Sequence, residues 1–577
     1  MSRRVCFVLL ITLTILSATL AGLGSVRGVQ KVTVRLATST DARNLTPYTF
    51  IFGYPDLCLV NLIYDALFWP DPNNIPQPWL VKSFEVSPDG KKWVLRLHDG
   101  VKWHDGKPLT SEDVRFTFEY VKKFKITWTP QLASVDRVVA NDTTTTTVFL
   151  KAFSAPFLLQ PLASMPILPR HIWETVTDPR KFTGLPVGSG PYKLVEYVPD
   201  QFYRFQANTE YFKGKPTVDE IAVPIIKEAS TMFLALKTGE VDAVTRSISP
   251  EVVAELEKIP EIKILRGPGF STTLLQFNNE RPPFTVKEFR KAISLAVDRS
   301  RLIEILLQGF GTQGSPGFIH PASPWYNPKV KPEVSVSKAK ELMDSIQFVD
   351  RDKDGVRETP DGKKLEFTLL VYSTDPVRIR AAEIISLWLK DLAIRVNVKT
   401  LDPVTVDSLV WPEFDVAKGR DFDMTMWGWS PGIQLDPDSL RRLFHSSTDA
   451  GYYNVGAYRN RDFDKLAEEQ VVTVDSLKRK EIVLRLQEIV AEDVPMVTCY
   501  YLDGLYGVRP KTYDGWVYVK GTGILDKLSF MAPAPPTPPP SAPPIISPLI
   551  IAVIIIAAIA TAAATIAYLK RTRKPAP

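Results

Sequence analysis

Short runs of alternating polar and apolar residues fill much of the chain, and helical stretches interrupt them. "KVTVRLATS" (31–39) alternates with period two, the pattern of a half-buried strand. "KKWVLRLHDGVKWHDG" (91–106) predicts a strand running into two Asp-Gly turns. "TSEDVRFTFEYVKKF" (110–124) then predicts a helix. Thr110 or Ser111 caps it, and Glu112 and Asp113 occupy the first turn, where the helix dipole favours acids. Helical spacing also covers 285–309, with Gly309 as its stop, then 335–346 and 376–394. Strands are predicted at 366–373 and 395–401, on either side of the last helix. The mixture is that of an α/β body, and no repeat of 20–50 residues runs through it.

The two ends break this pattern. Arg3 and Arg4 precede an apolar run and then small residues, the layout of a secretory signal peptide over 1–28; an uncleaved signal anchor is the alternative. Cys6 lies at the start of the apolar run, too early to be a lipoprotein cleavage cysteine, so no lipid anchor is expected. Residues 532–548 are proline-rich and predict an extended stalk, at ~3.1 Å per residue. Residues 549–569 carry no charge. At ~1.5 Å per residue they are long enough to cross a membrane as a helix. Lys570, Arg571, Arg573 and Lys574 make 570–577 a cytoplasmic basic tail. The body is therefore expected outside the cell, tethered by one C-terminal span.

Charge changes the picture only after this division. The whole chain is +6. Arg3, Arg4, Arg27 and the four basic residues of the tail lie in ends without acids, which leaves 63 basic against 64 acidic residues in the body. That balance excludes a nucleic-acid footprint. About 500 body residues suffice for a large core in more than one lobe. Cys58 and Cys499 are its only cysteines; they are either one disulfide or two buried thiols.

Candidate chemistry is sparse. The five histidines form no HExxH pair, and no GxSxG elbow is present. "GVKWHDGK" (100–107) has the wrong glycine spacing for a phosphate loop, and Pro108 stands where a hydroxyl should bind magnesium. No enzyme is expected and no cofactor is required. "DRDKDGVRETPD" (350–361) places Asp350, Asp352 and Asp354 at positions one, three and five of a calcium loop. Gly355 is at six, Glu358 at nine and Asp361 at twelve. Structural Ca2+ is one reading of this stretch; a solvated acidic turn is the other. Trp411, Trp427, Trp429, Tyr452 and Tyr453 crowd a short part of the sequence, and such rings either form a core or line a ligand cleft.

Five stretches together resemble the extracellular solute-binding protein family 5, the binding components of peptide-type ABC importers. They are "LHDGVKWHDGKPLTSEDVRFTFEY" (97–120), "VGSGPYKLVEY" (187–197), "LKTGEVDAV" (236–244), "FNNERPPFTVKEFRKAISLAVDR" (277–299) and "DFDMTMWGWSPGIQLDPDSL" (421–440). With its C-terminal span the chain also resembles archaeal members. The resemblance implies a two-lobed periplasmic-binding-protein-like fold, type II, with an extra subdomain in the first lobe. That lobe would comprise 29–274 plus 505–531, with the inserted subdomain at about 49–182, and the second lobe 275–504. Hinges would fall near Ser271–Asn279 and Tyr500–Tyr506. The implied partners are a small solute, an ABC permease and its ATPase, and the receptor would act as a monomer. The implied ligand site gathers Trp411, Trp427, Trp429, Gly432 and Asn278. In peptide-binding members an aspartate follows the second tryptophan after two residues; here Gly432 holds that place. Asp436 or Asp438 would replace it for an oligopeptide or dipeptide, whereas an oligosaccharide would need only the tryptophan faces.

Overall fold

The computed structural model describes residues 31–47, 56–125 and 128–531. The predicted signal peptide, stalk, membrane span and basic tail lie outside the described residues. Among the described residues, no helix is long and apolar enough to cross a membrane.

A mixed sheet of eleven strands organises the body. At its centre two long strands, Lys263–Phe277 and Met496–Val508, pair antiparallel. On one side of this pair lie Met424–Trp429, Glu366–Tyr372 and Arg395–Leu401. On the other lie Ala243–Val244, Thr33–Ala37, Glu220–Pro224, Phe202–Ala207 and Tyr192–Val198. The short strand Gly311–Gln313 pairs beside Met496–Val508.

The cores divide at the central pair. Leu275, Phe277, Val497 and Tyr500 join a core with helices Lys287–Ala296 and Pro376–Lys390. Leu505 packs with Ala37, Leu236 and Ile262, and Tyr506 and Val508 pack with Val34, Tyr192 and Tyr203. The register slips between Pro268 and Thr272, where Phe270 adopts a left-handed backbone (φ 59°). Its ring lies 4.7 Å from that of His320, which in turn lies 4.5 Å from Tyr501. The irregularity thus begins just before the 271–279 segment singled out from the resemblance.

A second sheet sits apart, with Val81–Val86, Lys92–Leu97, Thr145–Leu150 and Val135–Ala140 in antiparallel order. Helix Ser111–Phe124 covers it, burying Val114, Phe118 and Val121 against Trp93, Leu95 and Val148. Of the two caps the sequence offers, Thr110 is the one used, and it forms a capping box with Asp113. The glycines of "VGSGPY" serve close approach: a Cβ on Gly188 or Gly190 would strike the Ile63 carbonyl. His104 clamps this turn, its Nδ1 accepting from Gly188 N (3.3 Å) and its Nε2 donating to Gly190 O (2.9 Å).

The predicted helix 285–309 is in fact two, Lys287–Ala296 and Arg299–Leu307. Val297 is extended, and Asp298 accepts from Arg301 N to cap the second helix. The break lets the buried Arg299 guanidinium reach Thr498 O (2.9 Å) on the central strand. The helix at 376 ends at Lys390, four residues early, and the chain turns there into Arg395–Leu401. Cys58 and Cys499 are both buried, in different cores, so the disulfide alternative falls away.

The last described segment of the chain is fastened to the residues around Asp65 by a buried ion pair. Lys527 Nζ lies 2.6 Å from Asp65 Oδ1, and both side chains are fully buried. Asp65 also accepts from Trp79 Nε1, Tyr211 Oη and Ser189 Oγ, and Lys527 donates to Tyr64 O. The ammonium stands 4.1 Å from the Trp69 ring centre. Burial pulls the Lys527 pKa down, and Asp65 opposes that shift. Lys527→Met is expected to destabilise the protein by about 3–5 kcal/mol, because Asp65 is left without its cation; guanidinium unfolding measures it.

Burial also holds His104 and His320 neutral, lowering their pKa values to about 4 and about 3. Unfolded histidine titrates near ~6.5, so the unfolded chain takes up protons first. This part of the stability is complete above about pH 6.5 and is lost as pH falls through about 4. Denaturation midpoints taken stepwise over that range should decline, and His104→Gln should flatten part of the slope.

Candidate functional site

Strand Met424–Trp429 ends at the crossing between the lobes. Trp429 pairs with Thr272, exchanging bonds between Trp429 N, Trp429 O and Thr272 Oγ1, each 3.1 Å. Period two sends Met424 and Met426 into the core beneath helix Pro376–Lys390, and Trp427 and Trp429 to the opposite face. Trp427 is buried and Trp429 half-buried.

The opposite face carries an aromatic wall. Trp429 lies 6.2 Å from Trp427, 6.0 Å from Trp411 and 5.3 Å from Tyr453, and Trp411 lies 5.7 Å from Tyr453. Most of these contacts are edge-on, so no ring covers another completely. Phe414 meets Trp411 edge-on at 5.3 Å and stays 66 % exposed, making an apolar lip. The indole nitrogens of Trp411, Trp427 and Trp429 have no hydrogen-bond acceptor.

The carboxylates proposed from the sequence are not part of this wall. Asp436 and Asp438 are 4 % and 3 % exposed. Asp438 accepts from Arg441 Nε (2.7 Å), Arg441 Nη2 (3.1 Å) and Gln470 Nε2 (3.0 Å). Asp436 accepts from Arg479 Nη2 (3.2 Å) and from Asp438 N (2.8 Å). Both close the turn onto helices Arg461–Val472 and Ser476–Asp493 instead of facing a ligand. Asn278 is likewise structural: its Nδ2 donates to Phe422 O and its Oδ1 accepts from Glu280 N. Gly432 is exposed, with open space where a side chain would stand.

Pattern gave no hint of two arginines. Arg378, in the first turn of helix Pro376–Lys390, lays its guanidinium over Gly428, between the two tryptophans in sequence. It pairs with Asp375 at 3.2 Å and is 20 % exposed. Arg442 is buried and pairs with Asp438, and Tyr453 N donates to its carbonyl. Their neighbours come from remote segments, so only the assembled fold reveals them.

The acidic loop brings Asp350, Asp352, Asp354 and Glu358 together, with carboxylate oxygens within 4.8 Å of one another. Asp361, expected at position twelve, turns away and accepts from Thr359 Oγ1. A bridge of Glu358 to Val349 and Lys364 makes this segment a hairpin, which brings Glu358 inward in its place. Lys364 spans Asp352 and Asp354 and supplies counter-charge at the mouth.

Two lobes joined by a strand pair, with an aromatic wall at the junction, define the class of extracellular solute receptors. The chain belongs to the bacterial extracellular solute-binding proteins, family 5, whose middle-region model matches residues 76–452. It is 28 % identical over 472 residues to the oligopeptide-binding protein AppA of Bacillus subtilis, covering 79 % of this chain and 84 % of that one. It is 27 % identical over 474 residues to heme-binding protein A of Haemophilus influenzae, covering 75 % and 80 %. Among solved structures, the ABC transporter substrate-binding protein CtaP of Listeria monocytogenes superposes with a TM-score of 0.77 at 26 % identity, covering 87 % and 99 %.

Gly428→Ala tests the packing of Arg378 against strand Met424–Trp429, on the face opposite the wall. The added Cβ would fall inside the Arg378 guanidinium and against Thr272 O. A loss of about 1–3 kcal/mol in unfolding free energy is expected. A neutral result would mean that Arg378 does not lie over this strand.

Proposed function

We propose that the protein is the extracytoplasmic receptor of an ABC importer, capturing oligopeptides or dipeptides between its lobes and passing them to a permease. Family membership supports the receptor role, and the peptide-binding relatives support the ligand class. The observation that carries the reading is the aromatic wall of Trp411, Trp429 and Tyr453 beside the lobe crossing. Apolar side chains of a peptide would pack on the rings. The uncharged segment 549–569 would tether the receptor to the membrane. Three tryptophans in contact also suit an oligosaccharide, whose flat faces stack on indole.

Thermal-shift screening against di- to octapeptides and oligosaccharides tests the choice: stabilisation by sugars alone would replace peptide with sugar. Trp429→Ala should weaken binding of the selected ligand at least tenfold while the melting temperature stays within a few degrees. A collapse of melting temperature would make Trp429 a core residue and misplace the site.

A further inference from the structure

The chain holds the acceptor motif Asn-x-Ser/Thr twice, as Asn44-Leu45-Thr46 and as Asn141-Asp142-Thr143. Such a motif serves a glycosyl transferase only where its amide and hydroxyl reach the surface. The two copies fold differently. Asn44 is half-buried, and its Nδ2 donates to Phe182 O (2.8 Å). Thr46 is fully buried. To present this copy, the segment would have to leave the core that holds Ala42 and Leu45.

The second copy is presented whole. It forms the turn between strands Val135–Ala140 and Thr145–Leu150. Asn141 and Thr143 are both exposed. The turn is nonetheless ordered by its own bonds. Asp142 Oδ1 accepts from Thr144 N (2.9 Å) and Thr145 N (2.8 Å), and Thr143 O accepts from Ser111 N (2.9 Å). Thr147 Oγ1 donates to Asn141 Oδ1 (2.6 Å). That bond orients the amide and, among the described residues, leaves its Nδ2 without an acceptor. Val135–Ala140 is the edge strand of its sheet, so no further strand flanks the turn on that side. The family is an extracellular one, which puts the turn on the side of the membrane where such transfer takes place.

We propose that Asn141, and not Asn44, carries an N-linked glycan. In the transfer, Asn141 Nδ2 attacks the anomeric carbon of a lipid-phosphate-linked oligosaccharide. The nitrogen–carbon bond forms, the carbon–oxygen bond to phosphate breaks, the lipid phosphate leaves, and the amide proton passes to a base of the transferase. The inference rests on the extracytoplasmic part of the receptor reading. The test uses the full chain in the cells that make it. Protease shaving of intact cells comes first, then mass spectrometry of the peptides, with electron-transfer fragmentation to separate Asn141 from the threonines beside it. Sugar mass is expected on Asn141 and none on Asn44. In the same cells Asn141→Gln and Thr143→Ala should each cut occupancy at least tenfold, and Thr143→Ser should keep it. A bare Asn141, sugar on Asn44, or sugar on threonines alone that survives Asn141→Gln overturns the inference; if the chain is shaved from intact cells, the receptor reading still stands. A chain cleaved only after lysis lies inside the cell and ends both.

Discussion

Everything in this protein is hung on one antiparallel pair, Lys263–Phe277 against Met496–Val508. Each strand belongs to one core at one end and to another core at the other. Both cores must therefore be aligned on a common ladder of hydrogen bonds, whose register shifts between Pro268 and Thr272 and again between Thr273 and Leu274. Because Trp429 pairs with Thr272, the ladder also decides where the aromatic wall stands. The wall lies at the lobe junction for a reason of register, not of local sequence.

Buried charge does the remaining fastening, always through several partners at once. Lys527 and Asp65 lock the last described segment to the residues around Asp65. Arg299 ties its helix to a carbonyl of the central strand, and Arg290 does so to the end of helix Ser476–Asp493. Asp436, Asp438, Arg441 and Arg479 hold the turn after the tryptophans. Such groups are costly to bury and are tolerated where their bonds are complete.

Local chemistry was legible from the chain. The capping box at Thr110 and Asp113, the helix opened by Ser335 and the parallel strands 366–372 and 395–401 follow from short-range pattern. The family could be recognised from five motifs spread over the body. The exceptions have physical causes. The stretch 285–309 keeps helical spacing throughout, yet Asp298 prefers a cap and Arg299 a distant carbonyl, so the helix breaks. Asp436 and Asp438 look ready to receive an amine until helices tens of residues later bring Arg479 and Gln470 to them. In the acidic loop Glu358, not Asp361, joins the cluster, because a hairpin sets its direction.

By itself, then, the sequence determined the class of body, the helices with strong caps, the aromatic residues of the wall and the uncharged, proline-flanked C-terminal segment. These depend on spacing and composition, which act over a few residues. Only the tertiary structure decided which charges are spent and which remain. Electrostatic pairing acts between groups near in space, whatever their separation along the chain. That is why two aspartates became structural, and why Arg378, unmarked in the pattern, came to lie over Gly428.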